Sequence, residues 1–282
     1  MIRQLSVGGS LIELDDEGPR APAPGSPPRE PIVLLHGFTG SRDIWLDLRE
    51  KLCPDRRVIS FDLPGHGGTR VGDEIENYSI ESTSAMVIAA LENFLGAPRF
   101  ALLGYSMGGR LALFIALKYS TQVSRLVLES ASPGIAGADE RARRRADDGA
   151  LAAFARTNGI AAFVDRWEKA PLFASLARLP PDTLRRLREQ RIRCSAEELA
   201  RSLIGMGTGV QPWLGDELAA LRIPVLVIAG AMDQKFVEIG KYMCSQIPNS
   251  QFQIIGGAGH MPHLEQPSQF WRAVADFLDA AP

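Results

Sequence analysis

Apolar residues follow two rhythms along this chain. Short continuous runs at Ile32–His36, Val58–Phe61, Phe100–Gly104, Val123–Leu128, Pro224–Ala229 and Phe252–Ile255 have the length and density of strands buried on both faces. The segments between them predict helices over about 42–52, 79–95 (with Ser79 as N-cap), 107–118, 238–246 and 267–278. Strand–helix–strand repetition of this kind predicts an α/β protein with a mostly parallel central sheet covered by helices on both faces. At the start of the chain, Arg3–Val7 and Ser10–Leu14 flank Gly8-Gly9 and predict a hairpin. Glu17–Glu30 holds five prolines and few apolar residues, and is expected to be an exposed loop.

The rhythm stops at Pro133. From Gly134 to Gln211 no strand-like run occurs, and helices are expected at about Asp139–Thr157, Ile160–Lys169, Pro181–Arg191 and Ala196–Gly205. One α/β core, residues 1–133 and 216–282, is therefore expected to carry a helical lid inserted at 134–215. Charge separates the two parts. Gly134–Gly215 holds 13 Arg and one Lys against ten acidic residues, a net of +4, so the rest of this −2 chain carries −6. Most of these arginines are expected on a solvated helical surface. A few are expected to face an anionic substrate, because a guanidinium grips carboxylates with two prongs and stays charged when buried.

Composition narrows the function classes. With 31 Lys plus Arg against 33 Asp plus Glu in 282 residues, nothing marks a general binder of nucleic acid or anionic membrane. The longest uninterrupted apolar stretch, Ile223–Met232, is ten residues, against the roughly 18 a membrane helix needs. Met1–Val7 lacks the apolar core of a secretion signal. Cys53, Cys194 and Cys244 are odd in number and far apart, which suits a reducing, cytoplasmic compartment better than a disulfide framework. No Cys/His cluster has metal-ligand spacing, so neither a metal nor another cofactor is expected. The partner is expected to be a small molecule; a monomer is favoured.

The strongest chemical signal is Gly104-Tyr105-Ser106-Met107-Gly108-Gly109, at the junction of a predicted strand and helix. A G-x-S-x-G element there is a nucleophile elbow, whose small residues allow the sharp turn that lifts the Ser106 hydroxyl clear of the sheet. Such a serine needs a base, and in this architecture the order along the chain is Ser, acid, His. That leaves His260 or His263. His260, on a Gly-rich turn just past Phe252–Ile255, is favoured, and His263 is read as structural. Asp233 follows the Pro224–Ala229 strand and is the candidate acid; Asp216 and Glu238 compete without following a strand end. His36-Gly37-Phe38 closes the first core strand, so the backbone N–H groups of Phe38 and Met107 are the candidate oxyanion-hole donors. His36 and His66 are read as structural hydrogen-bonding residues.

His36-Gly37-Phe38-Thr39-Gly40, Asp62-Leu63-Pro64-Gly65-His66-Gly67, the Ser106 elbow and Gly259-His260 together resemble the α/β-hydrolase superfamily over nearly the whole chain. More specific elements resemble the 2-succinyl-6-hydroxy-2,4-cyclohexadiene-1-carboxylate synthase family of menaquinone and phylloquinone biosynthesis. These are Arg110 directly after the elbow, the Arg141–Arg145 cluster, Trp167 followed by Pro171-Leu172-Phe173, and Gly205-Met206-Gly207-Thr208-Gly209. Asp233-x-Lys235-Phe236 and His263-Leu264-Glu265-Gln266-Pro267 complete the set. The resemblance implies an α/β-hydrolase fold with Ser106, Asp233 and His260 as triad, and Tyr105, Arg110, Arg144, Trp167, Arg191 and Lys235 as substrate-binding residues. Arg144 is chosen among Arg141, Arg143 and Arg145, and Arg188 and Arg193 stand as alternatives to Arg191. It also implies a tricarboxylate substrate, 2-succinyl-5-enolpyruvyl-6-hydroxy-3-cyclohexene-1-carboxylate, and elimination of pyruvate. The fold alone would equally suit a carboxylesterase, a thioesterase, a carbon–carbon hydrolase or a non-enzymatic ligand receptor.

Overall fold

A computed structural model describes residues 1–19 and 29–280. Most of the proline-rich stretch expected as a loop, residues 20–28, lies outside them. The strands are β1 (Ile2–Val7), β2 (Ser10–Glu17), β3 (Ile32–Leu35), β4 (Val58–Phe61), β5 (Phe100–Tyr105), β6 (Val123–Glu129), β7 (Val225–Gly230) and β8 (Ser250–Ile255). They form one sheet in the order β1-β2-β4-β3-β5-β6-β7-β8. β1–β2 and β2–β4 pair antiparallel, and every pair from β4 to β8 is parallel. The α/β expectation holds, and the order doubles back at β3 so that β5 lies at the sheet's middle.

Helices α1 (Leu46–Leu52), α2 (Ile80–Asn93) and α3 (Met107–Lys118) follow β3, β4 and β5. Ser79 caps α2 by accepting from the Ser82 N–H at 3.1 Å, as its position predicts. Apolar side chains of α2 and α3 bury one face of the sheet. Trp45 and Leu48, with Phe270 and Val274 of a C-terminal helix, bury the other.

Between β6 and β7 the chain is helical: α4 (Ala138–Trp167), a 3₁₀ segment at Pro171–Arg178, α5 (Pro181–Ile192) and α6 (Ala196–Met206). The two helices expected at 139–157 and 160–169 abut as α4, and the break between them is Gly159, at φ 78° and ψ 173°. A residue with a Cβ is disfavoured at that φ, which is why the helix phase changes there. This insert has its own small core around Ala152, Phe163, Leu199 and Leu203. After β7 come α7 (Gln234–Gln246), β8, the short α8 (Pro262–Glu265) and α9 (Pro267–Asp279).

One element departs from its apolar pattern. β2 continues past Leu14 through Asp15, Asp16 and Glu17, which a hydrophobic reading ends as loop. The acids are tolerated because each meets arginine from a neighbouring element. Asp15 takes Arg42 Nε at 3.1 Å and Arg49 Nη1 at 2.8 Å, and Asp16 takes Arg57 through two prongs at 2.7 and 2.9 Å. Arg42 also bonds Asp62 at the end of β4, where Asp62 accepts the N–H groups of Arg42 and Gly68 at 2.7 and 2.8 Å. Buried charges persist only when paired and hydrogen-bonded in this way.

His36 and His66 tie two turns together. The His36 Nε2 accepts from the Leu63 N–H at 3.0 Å, and the His66 Nε2 accepts from the Thr39 N–H at 3.2 Å. Each Nδ1 then donates to a carbonyl, of Gly37 and Pro64, so both rings are neutral. Burial pushes His36 down to about 4 and His66 down to about 3. Both folded values lie below the unfolded value of about 6.5, so the unfolded chain binds more protons as pH falls below 6.5. Their stabilisation is complete above about pH 6.5 and is lost progressively toward their folded values. Each histidine should cost about 2 kcal/mol of unfolding free energy between pH 7 and pH 5. Urea unfolding at the two pH values measures this, and His66→Gln should flatten the dependence by about half. Equal slopes in wild type and variant would refute the assignment.

Candidate active site

The site is built at the carboxyl ends of β3, β5, β6, β7 and β8. Between β5 and α3 the chain turns through Ser106 at φ 50° and ψ −106°, a region that costs a residue with a Cβ about 1–3 kcal/mol. The turn is possible because its neighbours lack side chains. A Cβ on Gly104 would stand 2.2 Å from the Gly108 carbonyl oxygen, and one on Gly108 2.3 Å from that of Leu35.

Ser106 Oγ lies 3.1 Å from His260 Nε2, and His260 Nδ1 lies 2.6 Å from Asp233 Oδ2. The carboxylate accepts the Nδ1 proton, which leaves Nε2 free to take the serine proton. His260 and Asp233 are buried, whereas Ser106 is half-exposed to a cavity. Asp216 instead accepts the Trp213 indole N–H, and Glu238 pairs with Gln234 and Lys241 on the outside of α7. His263 donates its Nδ1–H to Glu129 at 2.8–2.9 Å, and its backbone N–H to the same carboxylate at 3.0 Å. Of the open alternatives, Asp233 and His260 are the ones brought into hydrogen-bond reach in line with Ser106.

Glu265 escaped the sequence reading as an anchor of this loop. Its two oxygens accept the N–H groups of Gly259 and Met261, at 2.9 and 3.1 Å, one on each side of His260. No spacing rule marks such a bracket in advance. The rings of Phe236 and Phe173 stand 4.7 and 6.0 Å from that of His260 and close its flanks.

The cavity holds about 570 Å³, and its wall includes Phe38, Tyr105, Ser106, Met107 and His260 from the core. Arg110, Arg144, Trp167 and Lys235 also line it. Arg110 is buried and donates to Gln211 Oε1 at 2.7 Å and to the Met206 carbonyl at 2.9 Å. That carbonyl ends α6, so Arg110 fastens the insert to the elbow helix while keeping further N–H groups unspent. Burial, and then the nearby Arg144, push Arg110 down to about 10, which leaves it cationic at neutral pH. Arg144 donates to Asp148 at 2.9 Å, and burial raises the Asp148 carboxyl. Asp148 was missed, although its i,i+4 position after Arg144 is a readable signal. Tyr105 is buried against the His260 and His263 rings, and burial together with Glu129 keeps its phenol well above 10.

Arg191 is not on the cavity wall. It is buried behind Phe173, 5.4 Å from that ring, with Nη1 on Glu168 at 3.2 Å. The α5 helix turns it toward Glu168 of the insert, so its charge is met internally. Of its alternatives, Arg188 pairs with Asp165 and Glu168, and Arg193 lines an outer groove beside α1.

Comparison with known proteins agrees with this arrangement. Residues 30–267 match the family described as alpha/beta hydrolase fold. A Bacillus subtilis (strain 168) protein, provisionally named a 2-succinyl-6-hydroxy-2,4-cyclohexadiene-1-carboxylate synthase, is 43% identical over 272 residues, covering 96% of this chain and 95% of the relative. The Serratia proteamaculans (strain 568) protein of that name is 30% identical, with 90% and 95% covered. The solved structure of MenH from S. aureus superposes with a TM-score of 0.88 at 34% identity, covering 94% of this chain and 97% of the other. With its elbow, triad geometry and basic cavity in place, this chain belongs to the 2-succinyl-6-hydroxy-2,4-cyclohexadiene-1-carboxylate synthase family of the α/β-hydrolase fold.

Proposed function

We propose that this protein forms 2-succinyl-6-hydroxy-2,4-cyclohexadiene-1-carboxylate by eliminating pyruvate from the 5-enolpyruvyl-3-cyclohexene precursor, in the cytoplasm, as a step of menaquinone or phylloquinone biosynthesis. The observation that carries the reading is the set of three basic side chains, Arg110, Arg144 and Lys235, on the wall of the same cavity as Ser106. A neutral ester would leave these cations without a purpose, whereas the precursor carries three carboxylates.

Ser106 passes its proton to His260 and takes the proton α to the succinyl ketone. Asp233 holds His260 in the required tautomer and stabilises its cation. As that C–H bond breaks, charge spreads to the ketone oxygen, where the N–H groups of Phe38 and Met107 receive it. Met107 is the first residue of α3, so its N–H has no acceptor within the helix. Each such donor is worth roughly 3–4 kcal/mol in the transition state. The new double bond forms at the ring carbon bearing the succinyl group, the existing one shifts along the ring, and the carbon–oxygen bond to the enolpyruvyl group breaks. Pyruvate leaves as its enolate and takes up the proton. The helical insert, residues 134–215, is the lid over this reaction, with Arg144 and Trp167 on its inner side. Arg191 acts from behind the wall, by fixing Phe173.

Three experiments test the reading. Ser106→Ala and His260→Ala should each lower kcat for pyruvate release by several orders of magnitude in folded protein. Intact-mass measurement during wild-type turnover should find no covalent adduct on Ser106; an acyl-serine would establish a hydrolase instead. Arg144→Ala should lower kcat/KM for the triacid by roughly 10- to 200-fold, the loss expected of one charge-assisted contact. Lys at the same position should restore only part of it, since an ammonium cannot make the two-pronged contact. Equal losses on the triacid and on a small neutral ester would show that Arg144 is structural.

A further inference from the structure

Among the described residues, Thr39, Ser106 and Ser130 are the non-glycine positions with positive φ, at 66°, 50° and 47°. They follow the carboxyl ends of β3, β5 and β6, which are adjacent strands of the sheet. Backbone in this region is held only where the surroundings over-determine it, and such positions gather at functional sites. Two of the three are explained. Ser106 is the elbow, and Thr39 follows Phe38 in the turn pinned by His66.

Ser130 has no such account. Its backbone is anchored beside the elbow: its N–H donates to the Ile228 carbonyl at 2.9 Å, and the preceding Glu129 carbonyl accepts from the Ser106 N–H at 2.8 Å. Ala131, the next residue, packs so closely that a Cβ on Gly109 would stand 2.5 Å from its own. The side chain, by contrast, is spent on nothing among the described residues. Ser130 is 1% exposed and its hydroxyl has no hydrogen-bond partner, yet it belongs to the cavity wall with Ser106 and Arg110. The Ser60, Thr83, Ser124 and Ser175 hydroxyls are also buried and unpartnered, but they lie away from this wall, on backbone of ordinary φ.

A buried hydroxyl without a partner is costly, and a strained backbone on the wall of the cavity adds to the cost. We propose that Ser130 is a specificity-determining residue whose hydroxyl donates a hydrogen bond to a carboxylate oxygen of the bound substrate. The carboxylate shares the wall with Arg110, and the strained turn after β6 exists to present that donor. This inference rests on the tricarboxylate reading of the site.

The test separates a ligand contact from a structural hydroxyl. Binding of the enolpyruvyl substrate is measured calorimetrically on Ser106→Ala protein, which does not consume it, with and without Ser130→Ala. Loss of a hydrogen bond to a charged acceptor should weaken Kd by about 10-fold or more. The melting temperature should hold or rise, because the variant removes a polar group that has no partner in the free protein. Ser130→Gly, which also relieves the positive φ, should melt higher still and bind as weakly as Ser130→Ala. If wild-type protein releases pyruvate but either Ser130 variant binds substrate as tightly as its Ser106→Ala parent, the inference is overturned. If wild-type protein releases no pyruvate from this substrate, the functional reading and the inference fall together.

Discussion

Strand β5 and helix α3 approach so closely at Gly104 and Gly108 that a Cβ on either would collide with main-chain atoms. The rest of the site depends on that contact. It compels the chain to reverse direction within one residue, so Ser106 takes a φ that only local over-determination can hold. It also brings the Leu35 and His36 carbonyls against α3, which carries the turn with Phe38 up to the helix N-terminus. Ser106 and both candidate oxyanion donors are thus placed by one packing constraint and not by three separate ones.

Around this rigid centre the other groups are anchored by different means. The His260 loop is held by two carboxylates that take no part in proton transfer: Glu265 grips the N–H groups flanking His260, and Glu129 grips His263. The turns that carry His36 and His66 are locked by neutral imidazoles exchanging main-chain hydrogen bonds. Polar groups therefore do structural work inside the fold wherever backbone leaves the regular ladders. The chemistry inherits its alignment from that work.

Charge is distributed with the same economy. Acidic residues of β2, with Asp62 just past β4, neutralise arginines of the core, so these cations are internal. On the insert most arginines are likewise matched by acids, as at Arg156–Glu197 and Arg188–Asp165. The wall that faces Ser106 carries an excess of positive charge. Arg110 and Arg144 share the buried carboxylate Asp148, Glu140 is the one acid on the wall among the described residues, and Lys235 lines it without a salt bridge among them. A net positive, partly desolvated wall is the physical basis for selecting a polyanion over a neutral ester.

Local chemistry sufficed to read the alternating core, the strand–helix turn at Ser106, the Ser79 cap and the helical character of the chain between β6 and β7, because each depends on residues near one another in the chain. The continuous runs at Val58–Phe61 and Phe100–Gly104 can satisfy burial only as central strands, and G-x-S-x-G has meaning only between a strand and a helix. Where partners come from distant segments, sequence could not decide. β2 extends through Asp15 and Asp16 because arginines some 30 to 40 residues away reach them. Arg191 leaves the cavity wall because Glu168, a full helix earlier, takes its charge. Ser130 became noticeable only through its φ and its unpartnered oxygen. Residue type and spacing determine which groups are available and which elements carry them. Only the packed structure decides which charges are already neutralised and which donors remain unspent for a ligand, since pairing at a distance is a property of the fold.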